Sequence, residues 1–348
     1  MHVVIIGGGI IGSALAHRLG ETGARVTVIE GAAGATPASF GWINASFYLN
    51  DDHFALRAAG LEAWKRLGGH VTWSGCLCWE ETGEAFDAQR DRLTTLGYDV
   101  DEVDAREFAS LEPNIKAPER ALRFAQEGVA APSQVTEALL SGVRRISGVQ
   151  VKGIATYGGT VTGVETAQGL IPADRVVVAA GTGSPSILET VGVALPMLDR
   201  PGLMLRTSPV PQLMRHILVT PGQEVRQDAQ GHIWAPTAAN HQSDDTEEIT
   251  TRPDVLADAT LARLQAMLPD HRLIWDRVML AKRPVPQDGL PVMGACGPSG
   301  LYTAVMHSGV TLAAISAEIL AAQVMDKPLS NAQSALVAPF TPDRFQSG

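Results

Sequence analysis

The sequence predicts an α/β chain in which a Rossmann-type parallel sheet carries an inserted, discontinuous antiparallel domain. Three observations lead there. A strand, a glycine turn, a helix and a second strand open the chain within residues 2–30. Apolar runs of similar character recur at Arg175–Gly181 and Gly300–Met306, and the segments between are of another texture, charged or rich in turns and prolines.

Residues 2–6 form a short run rich in β-branched side chains. Glycines follow, then an apolar-periodic stretch through Leu19, then Arg25-Val26-Thr27-Val28-Ile29-Glu30, which together make a βαβ unit. The run Arg175-Val176-Val177-Val178-Ala179-Ala180-Gly181 is continuously apolar, as a strand covered on both faces of a parallel sheet must be. Gly300–Met306 reads as one more strand and Thr311–Met325 as a long alanine-rich helix. Residues 74–117 are charged and turn-rich. Residues 197–282 mix strand-like runs (Ile217-Leu218-Val219, His232-Ile233-Trp234) with a helix near Val255–Leu268, and include five prolines between Pro201 and Pro236. The expected division is a nucleotide-binding domain of residues 1–73, 118–196 and 283–345 and a substrate domain of residues 74–117 and 197–282. The acidic stretch Asp244–Glu248 reads as a solvated loop.

At 348 residues, 45% apolar and 18% charged, the chain has the composition of a folded enzyme and the length of about two domains. A net charge of −10, with no basic run interleaved with aromatics, argues against a nucleic-acid partner. Cys76 and Cys78 have no second pair at metal-ligand spacing, so the three cysteines read as reduced thiols in a cytoplasmic protein with no metal site. Val3–Leu19 carries four glycines and no basic leader, unlike a signal peptide, and no later segment is long and apolar enough to span a bilayer.

Gly7-Gly8-Gly9-Ile10-Ile11-Gly12 fits GxGxxG at positions 7, 9 and 12, between a strand and a helix. Gly7 permits the tight turn, Gly9 lets backbone approach a pyrophosphate, and Gly12 lets the helix pack on the strand. The phosphates then meet the helix N-terminus, at Ile10 and Ile11, where unpaired N–H groups favour negative charge. Glu30 ends the second strand 18 positions after Gly12 (30 − 12), where an acid accepts ribose hydroxyls and repels a 2′-phosphate. The motif alone leaves NAD and FAD open. Ala180-Gly181-Thr182-Gly183 adds small residues after the central strand. More specific is the stretch from Arg283-Pro284 through Asp288-Gly289-Leu290-Pro291 to Gly294, followed by the turn His307-Ser308-Gly309-Val310-Thr311.

Over nearly its full length the chain resembles the FAD-dependent amino-acid oxidoreductases of the D-amino-acid oxidase, glycine oxidase and sarcosine oxidase superfamily. The resemblance implies FAD with its adenosine half on Gly7, Gly9, Gly12 and Glu30. It implies the flavin ring near the loop Pro37–Ala45, which includes Ser39, and near the turn His307–Thr311 with Gly309 and Val310, while the small residues at Gly181 let chain pass close to the bound dinucleotide. Some relatives attach FAD through a cysteine just before the DG segment; here Ala281 stands near that place and Cys296 falls beyond it, so the flavin is expected to be non-covalent.

Arg283 falls where the family places an arginine for the substrate carboxylate, and a guanidinium matches a carboxylate bidentately. The plainer reading is an arginine tying two domains together through an acidic side chain. Lys282 faces the other way if the segment is extended. His307 borders the flavin or the substrate amine, or else caps a turn; Tyr48 offers a hydroxyl to the pocket, or else is a core aromatic. Relatives often hold the carboxylate with tyrosines, but none lies between Tyr157 and Tyr302, and the inserted domain offers His216, His232, Trp234 and His241 instead. The expected activity is FAD-dependent oxidation of a small amine or amino acid, the acceptor being oxygen or a redox partner. The alternative is the flavoprotein subunit of a multi-subunit amine dehydrogenase; the oligomeric state stays open.

Overall fold

The architecture follows from how the apolar runs pair, and it is described for residues 1–238 and 244–346 in a computed structural model of the chain. Strand β1 (His2–Ile6) lies at the centre of a six-stranded sheet, between β2 (Arg25–Glu30) and the strand Arg175–Val178. Beyond β2 lies Arg144–Ser147, and beyond Arg175–Val178 lie Leu301–Val305 and Val292–Ala295. All pairs are parallel except the last, which forms an antiparallel edge. Val4 faces Val176 on one side and Thr27 on the other, and Val3, Val4 and Ile5 have no exposed surface.

Alternation of side chains sends these residues into two different cores. Val3 and Ile5 join Leu15, Leu19 and Leu312, beneath helices α1 (Ile10–Glu21) and α3 (Gly309–Val324). Helix α2 (Asp51–Leu67) packs on α3 from outside. Val4 and Ile6 join Ile154, Val161 and Val164, supplied by a three-stranded meander over residues 151–172. A sheet covered on both faces is what the continuous apolar runs anticipate.

The second region is an eight-stranded, mainly antiparallel sheet running from the edge strand Trp275–Lys282 through Pro201–Thr207, Ile233–Pro236, Gln223–Gln227 and Ile217–Thr220 to Cys76–Cys78, Arg120–Phe124 and Asp101–Asp104. The one parallel pairing, between Ile217–Thr220 and Cys76–Cys78, joins the two sequence-distant segments. No strand among the described residues of 197–282 enters the parallel sheet. The boundary expected at residue 117 is displaced, because Arg120–Phe124 pairs on both sides within the antiparallel sheet. Its residues Ala121, Leu122 and Phe124 are fully buried there. Among the described residues no helix is long and apolar enough to cross a membrane.

Candidate active site

Where β1 turns into α1, three glycines are required by contact with neighbouring backbone or side chain. Gly7 has φ +115°, and a Cβ on it would lie 2.2 Å from the Ala179 carbonyl oxygen of the adjacent strand. A Cβ on Gly12 would stand 1.9 Å from the Gly7 carbonyl oxygen, and one on Gly8 would meet the Glu30 carboxylate at 2.3 Å. The helix starts on Gly9 with no side-chain cap and no acidic residue in its first turn, leaving a site of positive potential. One N–H there, that of Ile10, donates to Thr36 Oγ1 at 3.1 Å.

Glu30 is fixed at the end of β2. Arg145 Nε donates to both its carboxylate oxygens at 3.1 Å, and Ser147 Oγ donates at 2.9 Å. Both partners come from the strand paired with β2, where Glu30 stands opposite Ser147. Neither was anticipated, since nothing in the sequence of that strand distinguishes it from a surface hairpin.

At the other end α3 begins on Ser308, a non-glycine residue in the left-handed region at φ 54°. Thr311 Oγ1 donates to the Trp42 carbonyl at 3.1 Å and accepts the Asn44 N–H at 3.3 Å, tying the loop before α2 to the start of α3. Below them lies Arg57, 3% exposed, whose Nε donates to the Asn44 carbonyl at 3.1 Å and whose terminal nitrogens donate to Asn44 Oδ1 and Ser308 Oγ. Burial lowers its pKa to about 10. Glu127, fully buried, accepts from Trp42 Nε1 at 2.9 Å, Tyr98 Oη at 2.7 Å and the Ser46 N–H at 3.2 Å. Desolvation outweighs those bonds and raises its carboxyl to about 7. Arg57 had a signal that the sequence reading passed over: it shares the inward face of α2 with Phe54, Leu61 and Trp64 at helical spacing, a place where charge is costly.

Arg283 leaves the edge strand and turns under the inserted sheet. Its Nη2 donates to Asp244 Oδ2 at 2.9 Å and to the Pro201 carbonyl at 3.3 Å, and its Nε donates to the Arg200 carbonyl at 3.2 Å. Arg283 is thus joined to an acidic side chain. Asp245 to Glu248 are exposed as expected of a solvated loop, but Asp244 is turned inward. Lys282 donates to Asp199 at 2.7 Å, and, contrary to the expectation that it faces away, it also lines the cavity described next.

One cavity of about 1130 Å³ joins these parts. Gly7, Gly9, Ile10, Ile11, Glu30, Ser39, Gly181, Arg283, His307, Gly309, Val310 and Thr311 all line it. Gly12 lies behind the lining, where it keeps helix against turn. Tyr48 is not at the cavity: its ring packs edge-on against Phe54 at 5.3 Å between centroids. His216, His232 and Trp234 are also not in the lining; they are held by Glu112, the Thr207 carbonyl and Asp228. His241 lies outside the described residues.

Residues 2–323 match the family model described as FAD dependent oxidoreductase. The chain belongs to that family. Within this family of FAD-dependent oxidoreductases, the chain is 28% identical over 379 residues to the tRNA 5-methylaminomethyl-2-thiouridine biosynthesis bifunctional protein MnmC of Thiobacillus denitrificans, covering 99% of this chain but 59% of that protein. It is 25% identical to the glycine oxidase of Pseudomonas aeruginosa, over 92% of this chain and 93% of the relative. Its fold matches the crystal structure of glycine oxidase from Geobacillus kaustophilus with a TM-score of 0.83 at 21% identity, covering 97% of each chain. The residues present fit the family's cofactor: the glycine cradle has no room for side chains, the helix start is open to anions, and a fixed carboxylate stands beside it.

Proposed function

We propose that the chain holds FAD non-covalently in this cavity and uses it to oxidise a CH–NH bond of a small amine or amino acid. The observation that carries this reading is the continuity of the cavity, which runs from the glycine turn past Glu30 to His307–Thr311 and on to Arg283 beneath the inserted sheet. A dinucleotide cradle and a chamber walled by a second sheet thus share one space, the arrangement a redox cofactor and its substrate need. The activity named for the glycine oxidase relatives supports an amine as substrate.

In this reading Gly7, Gly9, Ile10, Ile11 and Gly12 hold the pyrophosphate and Glu30 accepts the ribose hydroxyls. Ser39, Gly181, Gly309, Val310 and Thr311 border the flavin half, and His307 stands at the substrate side. Cys76, Cys78 and Cys296 are buried and none lines the cavity, which supports non-covalent attachment. The two sheets support a division into nucleotide and substrate domains, with Arg120–Phe124 assigned to the latter. Bound there, FAD supplies a two-electron acceptor: the carbon beside nitrogen gives up a hydride, nitrogen gives up a proton, and the imine takes up water to release a carbonyl compound and the amine. The protein contributes charge and dryness. The N–H groups that open α3 and the Arg57 guanidinium place positive potential at the Ser308 end, and Trp42 and the inserted sheet exclude water.

The test is direct. Purified protein should carry flavin absorbance, and denaturation should release all of it; flavin retained by the precipitated chain refutes the non-covalent reading. Anaerobic bleaching by amines, and not by 2-hydroxy acids, is expected; the reverse refutes the amine. Oxygen consumption during turnover then tells oxygen from a redox partner as acceptor.

A further inference from the structure

The donor pattern of Arg283 bears on which amine enters, and this step rests on the amine-oxidation reading above. A carboxylate grips a guanidinium through two adjacent nitrogens, either the Nε/Nη2 edge or the Nη1/Nη2 edge. Both edges include Nη2. Its two hydrogens are committed, one to Asp244 at 2.9 Å and one to the Pro201 carbonyl at 3.3 Å, and Nε is committed to the Arg200 carbonyl. The Arg283 and Asp244 side chains are 13% and 11% exposed, so the pair is shielded from water and salt. Asp244 is itself fixed, its Oδ1 accepting the Thr246 N–H at 3.1 Å.

The neighbouring cations are matched as well. Lys282 pairs with Asp199 at 2.7 Å and Arg200 with Glu247 at 3.1 Å, while Glu248 adds an exposed carboxylate to the wall. A substrate carboxylate arriving here would meet a neutralised arginine and an adjacent anion. It would have to break the Arg283–Asp244 pair and bring a second carboxylate beside Asp244 in a partly dry pocket.

We propose that Asp244 is a built-in carboxylate that occupies Arg283, and that the enzyme accordingly selects amines whose oxidised carbon carries no free carboxylate: amides, esters or simple alkyl amines. Asp244 is a specificity residue rather than a catalytic one. It sets the charge of the chamber, and Arg283 serves to hold it.

The experiment uses flavin-loaded protein and matched pairs that differ only in the acid group: glycine and glycinamide, each enantiomer of alanine and its amide, and the corresponding alkyl amines. Anaerobic flavin reduction rates should favour the amide or alkyl amine over the acid by about tenfold or more. In Asp244→Asn, which keeps the shape and removes the charge, that ratio should fall by about tenfold or reverse. Asp244→Glu should keep the wild-type preference. Wild-type protein that prefers the acids, or an Asp244→Asn ratio equal to that of wild type, overturns the proposal.

A second readout does not depend on turnover. Propionate and propionamide are titrated against the flavin absorbance of each protein. Wild type should bind the amide more tightly, and Asp244→Asn should gain affinity for the anion. Equal or tighter propionate binding by wild type overturns the proposal even if no amine reduces the flavin, an outcome that would separately refute amine oxidation.

Discussion

At the Gly7–Gly12 end of the cavity the wall is backbone, whereas at the Arg283 end it is side chains brought from distant segments. Gly7 and Gly12 are set by backbone carbonyl oxygens within 2.2 Å of where a Cβ would stand, and Gly8 by the Glu30 side chain; the three glycines lie within one turn and helix. Arg283 meets Asp244, 39 positions away, and carbonyls 82 and 83 positions away. The first kind of wall binds a feature common to all dinucleotides, the pyrophosphate, and tolerates no variation. The second kind sees the substrate, and a change of one side chain alters its charge.

The comparison is tested hardest at Gly12. Gly12→Ala places a methyl 1.9 Å from the Gly7 carbonyl oxygen, and backbone cannot yield there without moving the turn itself. We expect a loss of at least about 3 kcal/mol in stability and protein that purifies without FAD. Flavin-to-protein ratio and urea unfolding measure both. A Gly12→Ala protein that binds FAD like wild type would show that the close contact is not what shapes the cradle.

Beneath the Ser308 end lies a third kind of wall, made of buried ionisable groups, and it should reveal itself through pH. Glu127 has a folded-state pKa of about 7 against an ordinary 4.5, so folding favours its protonated form. Its contribution is intact below pH 4.5 and is lost as pH rises through 7, a change of about 3 kcal/mol. His53 works in the opposite sense. Burial, aided by the Arg57 charge, lowers it from 6.5 to about 3, so its contribution is full above 6.5 and is lost as pH falls towards 3. Glu127→Gln should therefore gain on wild type by about 3 kcal/mol between pH 4.5 and 8 in urea unfolding of the apoprotein. A constant difference across that range would mean that Glu127 does not change charge on unfolding.

A smaller effect is expected where the wall is side chains. Arg283→Ala removes the ion pair with Asp244 and the side-chain donors to the Pro201 and Arg200 carbonyls, the latter keeping the residue-283 N–H, at a cost of about 2 kcal/mol to stability. FAD content should stay at the wild-type ratio, since no part of the glycine cradle is touched. Arg283→Lys should restore little, because a point charge cannot reach Asp244 and the Arg200 and Pro201 carbonyls together. Loss of FAD from Arg283→Ala would erase the distinction between the two ends.

The same contrast explains what could be read from the sequence. The centre of the parallel sheet was legible because its strands are apolar on both faces, as with Arg175–Val178, whereas the polar edge strand Arg144–Ser147 was not; the glycine turn was legible because the three glycines of its motif fall within six consecutive residues. The strand Arg120–Phe124 was misassigned because it lies near nucleotide-domain segments in sequence but pairs with Cys76–Cys78 and Asp101–Asp104. Arg283 was found by its motif, while its partner was not: an acidic run predicts solvation, and only the fold shows which carboxylate turns inward. Tyr48 was placed at the pocket by proximity to the loop Pro37–Ala45, yet its ring is taken up by Phe54. Arg57 carried a signal in its place on the apolar face of α2, whereas Glu127 required knowing which loop is buried.

The smallest expected effect separates two roles of glycine within a single helix. Gly20 lies in the last turn of α1, exposed, and a Cβ there would meet nothing within 4 Å. Its backbone is not in the left-handed region, so alanine fits without strain. Glycine at such a position costs helix stability because the unfolded chain has more freedom to lose. Gly20→Ala should therefore raise stability by about 0.5 kcal/mol, less than a mid-helix change because the turn is terminal. FAD affinity, measured by titrating apoprotein, should not move. Gly12 and Gly20 are eight positions apart in one helix, so the pair compares a glycine constrained by the Gly7 carbonyl with one constrained by nothing. Weaker FAD binding in Gly20→Ala would mean that the cradle depends on the whole helix rather than on its first turn.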